Sequence, residues 1–250
     1  PENLEKLISK ISKYSNTQSR VSNVDLRARN PQLVQLKSLS GSVLTPSRDK
    51  WFFERAKGEF NTEVKRAGAN ASRIKNQYPP KRRFSKEQLA KYFSAWGDQP
   101  YLVKKGGEKI FRHFIEKISP EDGGQSVVKI DRDFYESLIS KIIIFRQLEK
   151  IYGQGKYSMG QLRSAVIPYT LSIVYSHTDG LENGSCFNMP AIWKKEEMDD
   201  DLAEYFKSLM LLVNELIKKY SASDDYGEYS KKQELWDSIK DSPEIKGFMA

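Results

Sequence analysis

Eleven lysines and arginines fall within the 36 residues from Arg48 to Arg83, interleaved with Trp51, Phe52, Phe53, Phe60 and Tyr78 and followed by Phe84. Cations at that density can neutralise phosphates, and an exposed ring among them can stack on a base. Arg48, Lys50, Lys57, Lys81, Arg82 and Arg83 are the candidate nucleic-acid-binding residues. The plainer alternative keeps the aromatics as core and the cations as the solvated face of the same helices. Charge along the chain is polarised in the same sense. Residues 1–118 hold 25 basic against 11 acidic residues, a net +14, and residues 119–250 hold 16 against 22, a net −6. Such a division suits DNA or RNA on the basic half, and it suits equally a contact between the halves or between copies of the chain.

Bond-making chemistry finds less support. Glu54, Glu59 and Glu63 are the carboxylates best placed to hold a magnesium ion, but at i, i+5 and i+9 they scatter around a helix instead of converging. Asp122 is followed by Val127-Val128-Lys129, with valine where a metal-dependent nuclease needs its second acid. Neither His113 nor His177 has an arginine four to six residues upstream, so the acid/base pair of the metal-independent helical ribonucleases is missing. Gly153, Gly155 and Gly160 lack the lysine-serine partner of a phosphate-cradling loop. Asp199-Asp200-Asp201 reads as the acidic start of a helix. The single cysteine, Cys186, leaves no internal disulfide or cysteine-based zinc site. No catalytic residue, metal site or cofactor is assigned.

These side chains must be positioned by helices, because the apolar spacing is helical almost throughout. Leu4, Leu7, Ile8 and Ile11 mark a first helix, and Leu33, Val34, Leu36 and Leu39 another after Pro31. Trp51, Phe52, Phe53, Ala56 and Phe60 repeat at helical spacing, with Ser47 as an N-cap, and residues 66–83 read as a basic loop. Ser85 with Gln88 forms a capping box, and Gly106-Gly107 precede a further helix. Asp131 caps a long helix, Ser158 one that runs to about Ser176 around Pro168, and Asp199 one through Ile217; residues 178–190 read as loop. Leu235, Trp236 and Ile239 mark a last short helix. The expected fold is all-α, a multi-helix bundle without a strand ladder. It divides into a basic helical subdomain (1–118), a linker rich in Pro, Gly and acids (119–129) and an acidic helical subdomain (130–250). Apolar runs inside the helical patterns are short, as at Ile142–Phe145, far below the roughly 20 residues that cross a bilayer. A cytoplasmic location without a membrane partner is expected.

Two stretches carry a family likeness. ISKYSNTQSRVSNVDL (11–26) resembles the Tyr-Thr-Asn-Ser-Gln-Asn-x-Val segment of the bacterial abortive infection phage-resistance family. DKWFFERAKGEF (49–60) resembles that family's Trp-Phe-Tyr-Glu-Arg-Ala-Arg-Gly-Gln-Tyr signature, with Trp51, Glu54, Arg55, Ala56 and Gly58 matching, Lys57 in place of arginine and Glu59 in place of glutamine. FSKEQLAKYFSAW (84–96), LVKKGGEKIF (102–111) and YSKKQELWDSI (229–239) follow in the family's order. The resemblance implies a phage-defence protein of which this chain, beginning at Pro1, is the C-terminal portion. A nuclease-like region then lies upstream. It also implies a site role for Asn16, Thr17 and Gln18, and a role of unknown kind for Trp51, Glu54 and Arg55. Two functions follow. One is a module that binds nucleic acid, or assembles with the upstream region or another copy, for the nuclease. The other is a magnesium-dependent nuclease activity within these 250 residues.

Overall fold

A computed structural model describes residues 30–119, 128–178, 183–184 and 187–250. The expected helix at Leu4–Ile11, the Asn16–Gln18 segment, Asp122 and Cys186 lie outside the described residues, as do residues 120–127 of the expected linker. Twelve α-helices, α1 to α12, and two very short ribbons make up the rest.

α1 (Pro31–Ser42) opens on Asn30, whose side chain accepts the Gln32 N–H, and it buries Leu33 and Leu36. The aromatic run that follows departs from expectation. Phe52–Glu54 is a strand, β1, paired in parallel with β2 (Arg83–Ser85), so that Phe53 lies opposite Phe84. The reason is tertiary. Phe53 stacks on Phe84 at 5.2 Å, and Ser40 of α1 both donates to the Trp51 carbonyl (2.6 Å) and accepts the Phe53 N–H (2.9 Å). An extended backbone thereby gains the partners that a helix would have supplied itself. Ser47, expected as an N-cap, instead donates its N–H and hydroxyl to Glu196.

Parallel strands need a crossover, and the part of this one beyond α2 fills the stretch, 66–83, expected as a loop. It consists of α2 (Glu59–Arg66), a 3₁₀ turn (Gly68–Asn70), α3 (Ala71–Gln77) and a second 3₁₀ turn (Pro80–Arg82). Beyond β2, the Ser85–Gln88 capping box opens α4 (Lys86–Ser94) as expected. α5 (Gly107–Ile118) packs back on α4, with Phe93 edge-on to Phe114 at 5.2 Å.

α6 (Arg132–Tyr152), capped by Asp131, is the central helix. α7 (Arg163–His177) starts five residues later than its expected cap at Ser158, because Gly155–Tyr157 forms a 3₁₀ turn and Leu162 is the residue before the helix; Pro168 lies inside it. The expected loop at 178–190 holds an antiparallel ribbon, β3 (Asn183–Gly184) with β4 (Phe187–Asn188), and the start of α8 (Met189–Lys195), which Asn188 caps. α9 (Asp200–Tyr220), capped by Asp199, leads to α10 (Tyr226–Tyr229), α11 (Gln233–Lys240) and α12 (Pro243–Met249). One buried apolar cluster runs from Leu33 to Ile245 through both halves of the chain. Tyr92 of α4 packs on Phe145 of α6 at 4.8 Å, Ser172 of α7 donates to the Ala95 carbonyl, and Tyr169 meets Trp236 of α11 at 5.4 Å. The fold is all-α in class, with two-stranded ribbons too short to alter that.

Candidate nucleic-acid interface

The turn after β1 is built from side chains of the DKWFFERAKGEF stretch. The Glu54 carboxylate accepts the Gly58 N–H, and the Glu59 carboxylate accepts the N–H groups of Arg55 (2.8 Å) and Ala56 (3.4 Å). Gly58 sits at φ +80°, the left-handed region that glycine enters without penalty. Glu59 also pairs with Lys37 of α1 at 3.3 Å. A glutamine could accept the same two amides, but the carboxylate adds this ion pair. The Lys37 ammonium donates to the Phe53 carbonyl (2.7 Å) and lies 3.6 Å from the Phe52 ring centroid. Burial lowers its pKa below the usual lysine value, against the opposing pull of Glu59.

The crossover is tacked down by aromatics. Phe52 meets Phe60 at 5.1 Å and Tyr78 at 5.4 Å, and the Arg83 guanidinium covers Phe60 at 3.7 Å while donating to the Tyr78 carbonyl. Trp51 is buried beside Phe84. Trp51, Phe52, Phe60 and Phe84 are buried and offer no free face to a base, while Tyr78 is half-buried.

The candidate cations fall into two groups. Because β1 and β2 run in parallel with Phe52 opposite Arg83, the residues just before each strand share one end of the ribbon. Arg48, Lys50, Lys81 and Arg82 gather there, whereas Lys57 lies past the other end of β1. Arg82 forms an ion pair with Asp49, Lys50 donates to the Gly41 carbonyl, and Arg48 occupies the turn from Thr45 to Asp49 at φ +63°. Pro80–Arg82 is a 3₁₀ turn instead of part of a basic loop, and Arg82 and Arg83 serve the structure. Lys81 and Lys57 are exposed. So are Lys65, Arg66, Arg73 and Lys75 on α2 and α3, where Phe60 is the one buried side chain from Glu59 to Gln77. Composition places those four in the basic stretch without singling them out.

Two residues that hold this region in place escape sequence reasoning. Arg146 of α6 donates to the carbonyls of Lys81 (2.5 Å) and Arg83 (2.6 Å) and to the Tyr92 hydroxyl (3.3 Å), which fastens β2 to the central helix. Its one signal is an arginine in the apolar stripe between Phe145 and Leu148. Glu196 holds Ser47, and its position at φ +57° carries no sequence signal. Burial works to raise the Glu196 pKa, but the hydrogen bonds from Ser47 and Thr45 and the charge of Arg82 outweigh it and hold the carboxyl below its usual value.

The expected acids do not assemble. Glu54 stands on β1, not on the helix of Glu59 and Glu63, and among the described residues no group of three or more His, Cys, Asp or Glu side chains could hold a metal ion. Asp199 is spent as an N-cap on the Leu202 N–H (3.0 Å). His113 is half-buried on α5, its pKa lowered by burial and by Lys117, and His177 contacts the Ile173 carbonyl at 3.1 Å. No helix among the described residues is long and apolar enough to cross a membrane.

Comparison with curated proteins and with solved structures finds no match. The family model described as AIPR protein matches residues 1–221. That span takes in the β1 turn and the whole crossover, so the stretch that resembles a family signature is, in three dimensions, the device that turns β1 into α2. The chain belongs to the AIPR family, and that membership points to a role in abortive-infection resistance to phage.

Proposed function

We propose that this chain is the nucleic-acid-binding module of an abortive-infection defence protein and presents a strand to a nuclease-like region upstream. The observation that supports this reading most is the crossover. From Glu59 to Gln77 it exposes Lys65, Arg66, Arg73 and Lys75 and buries one side chain, Phe60, so its charge is held out to solvent on a frame tied to the core. Glu59, one of the two acids on that stretch, is already matched by Lys37. Lys57 and Lys81 extend the same sign of charge at either end of the ribbon. The cytoplasm is the compartment this function requires. Binding of this kind is independent of base sequence and steep in salt, since each neutralised phosphate releases counterions. Fluorescence anisotropy with labelled single-stranded and duplex oligonucleotides across a salt series tests it. Affinity that falls steeply and linearly in log salt, alike for unrelated sequences, is the expected result. Absence of binding at low salt would assign the basic face to the acidic surface of another protein region.

A further inference from the structure

Beside the 3₁₀ turn that leads into β2, a cleft of about 610 Å3 opens against α6 and the start of α7. That volume lies within the range of small-ligand sites. Lys81, Arg146, Lys150 and Arg163 all line it, and they face one acid, Glu149, which Lys91 already neutralises at 3.0 Å. The hydrogen bonds of Arg146 go to two carbonyls and a phenol. They fix the guanidinium in place and leave its positive charge uncompensated. Lys150 lies one helical turn further along α6, and Arg163 is the first residue of α7, where the positive end of a 15-residue helix adds to the field. Neither has a carboxylate partner among the described residues. Gln88 also lines the cleft; its Oε1 is committed to the Ser85 N–H, which leaves its NH₂ to donate. The turn at Gly153 is also part of the lining. There φ is +80° and a Cβ would come within 2.7 Å of the Tyr157 carbonyl oxygen, so only glycine keeps the turn in place.

Like charges collected around one cleft focus a positive potential into it. Guanidinium, ammonium and amide donors together match a ligand with several oxyanions close to one another. We propose that this cleft is a binding site for a ligand carrying two or more phosphate groups. The site shares Pro80 and Lys81 with the end of the crossover, but its lining includes none of Lys65, Arg66, Arg73 and Lys75. Its phosphates come either from a free nucleoside polyphosphate or from the backbone of a strand that continues past Lys81.

Calorimetric titration of the 250-residue chain with inorganic pyrophosphate, adenosine triphosphate and a twelve-residue oligothymidylate tests the site. The parent should bind pyrophosphate and the triphosphate. The double variant Lys150→Ala/Arg163→Ala should lose at least about tenfold in affinity for both at an unchanged melting temperature, and Lys150→Arg/Arg163→Lys should restore it. Oligothymidylate that displaces pyrophosphate and is weakened by the same variant identifies the strand as the phosphate source; oligothymidylate that does neither identifies the free nucleotide. No pyrophosphate binding by the parent, or equal binding by parent and double variant, overturns the proposal. A crossover variant lacking Lys65, Arg66, Arg73 and Lys75 should retain pyrophosphate binding, so this site and the nucleic-acid face can fail independently.

Discussion

α7 and the α2–α3 crossover are both helical, and they are held by opposite means. Every residue of α7 from Ala165 to Val174 is buried, and after Arg163 the helix contains no lysine, arginine or acid. The crossover buries one side chain and is dotted with charge. Helices of seven or eight residues are marginal in water by themselves. α2 and α3 therefore depend on the turn shaped by Glu54, Gly58 and Glu59 and on the aromatic contact at Phe60. The core helices are needed for the fold to exist. The crossover contributes little to the core, which leaves its outer face available for binding.

If that contrast holds, the largest stability effect belongs to the ring that joins the ribbon to the core. Trp51→Ala should cost about 3–5 kcal/mol in denaturant unfolding, because it removes a buried aromatic packed on Phe84. Val64→Ala on α2, half-buried, should cost less than about 1 kcal/mol. Comparable losses for the two would erase the distinction between core and crossover. Next in size is Gly58→Ala. No atom crowds a Cβ there, so the cost is conformational alone, about 1–2 kcal/mol for a residue forced to φ +80°. A neutral result would mean that the turn readily adopts another geometry.

Acid sharpens the comparison with a smaller effect. Glu196 ties the loop before β1 to the end of α8, and its pKa is held below the usual 4.5 in the folded state. A depressed folded pKa contributes stability that is complete above the unfolded value and lost as pH falls through the folded one. The melting-temperature gap between the parent and Glu196→Gln should thus be constant from pH 7 down to about 5 and close below pH 4.5. A gap of equal size at pH 7 and pH 3 would deny the carboxylate its role.

What is legible in the sequence follows the range of the interactions. Ser85, Asp131 and Asp199 are readable caps because each bonds an amide three residues away, a relation that survives any tertiary context. The apolar stripes of α5, α6 and α9 are readable for the same reason. β1 is not, because aromatics at 51–53 fit a helix or a strand, and the decision rests on Phe84, some thirty residues on, and on Ser40 from the preceding helix. α7 begins at Arg163 after Leu162, which offers no capping side chain, so the preceding serine, Ser158, draws the assignment instead. In the candidate site, the basic stretch is visible as composition. Its division into structural cations (Arg82, Arg83) and exposed ones (Lys65, Arg66, Arg73, Lys75) is not, because Asp49, Phe60 and Arg146 make that division in space.

The central claim is that the exposed charge of the crossover is there for contact and not for stability. The quadruple variant Lys65→Ala/Arg66→Ala/Arg73→Ala/Lys75→Ala tests both halves of it on one sample, through thermal unfolding and the salt dependence of oligonucleotide affinity. The account predicts a stability within about 0.5 kcal/mol of the parent and a log–log salt slope reduced by about one for each phosphate that is no longer neutralised. Unchanged affinity and an unchanged slope in a folded variant would contradict it.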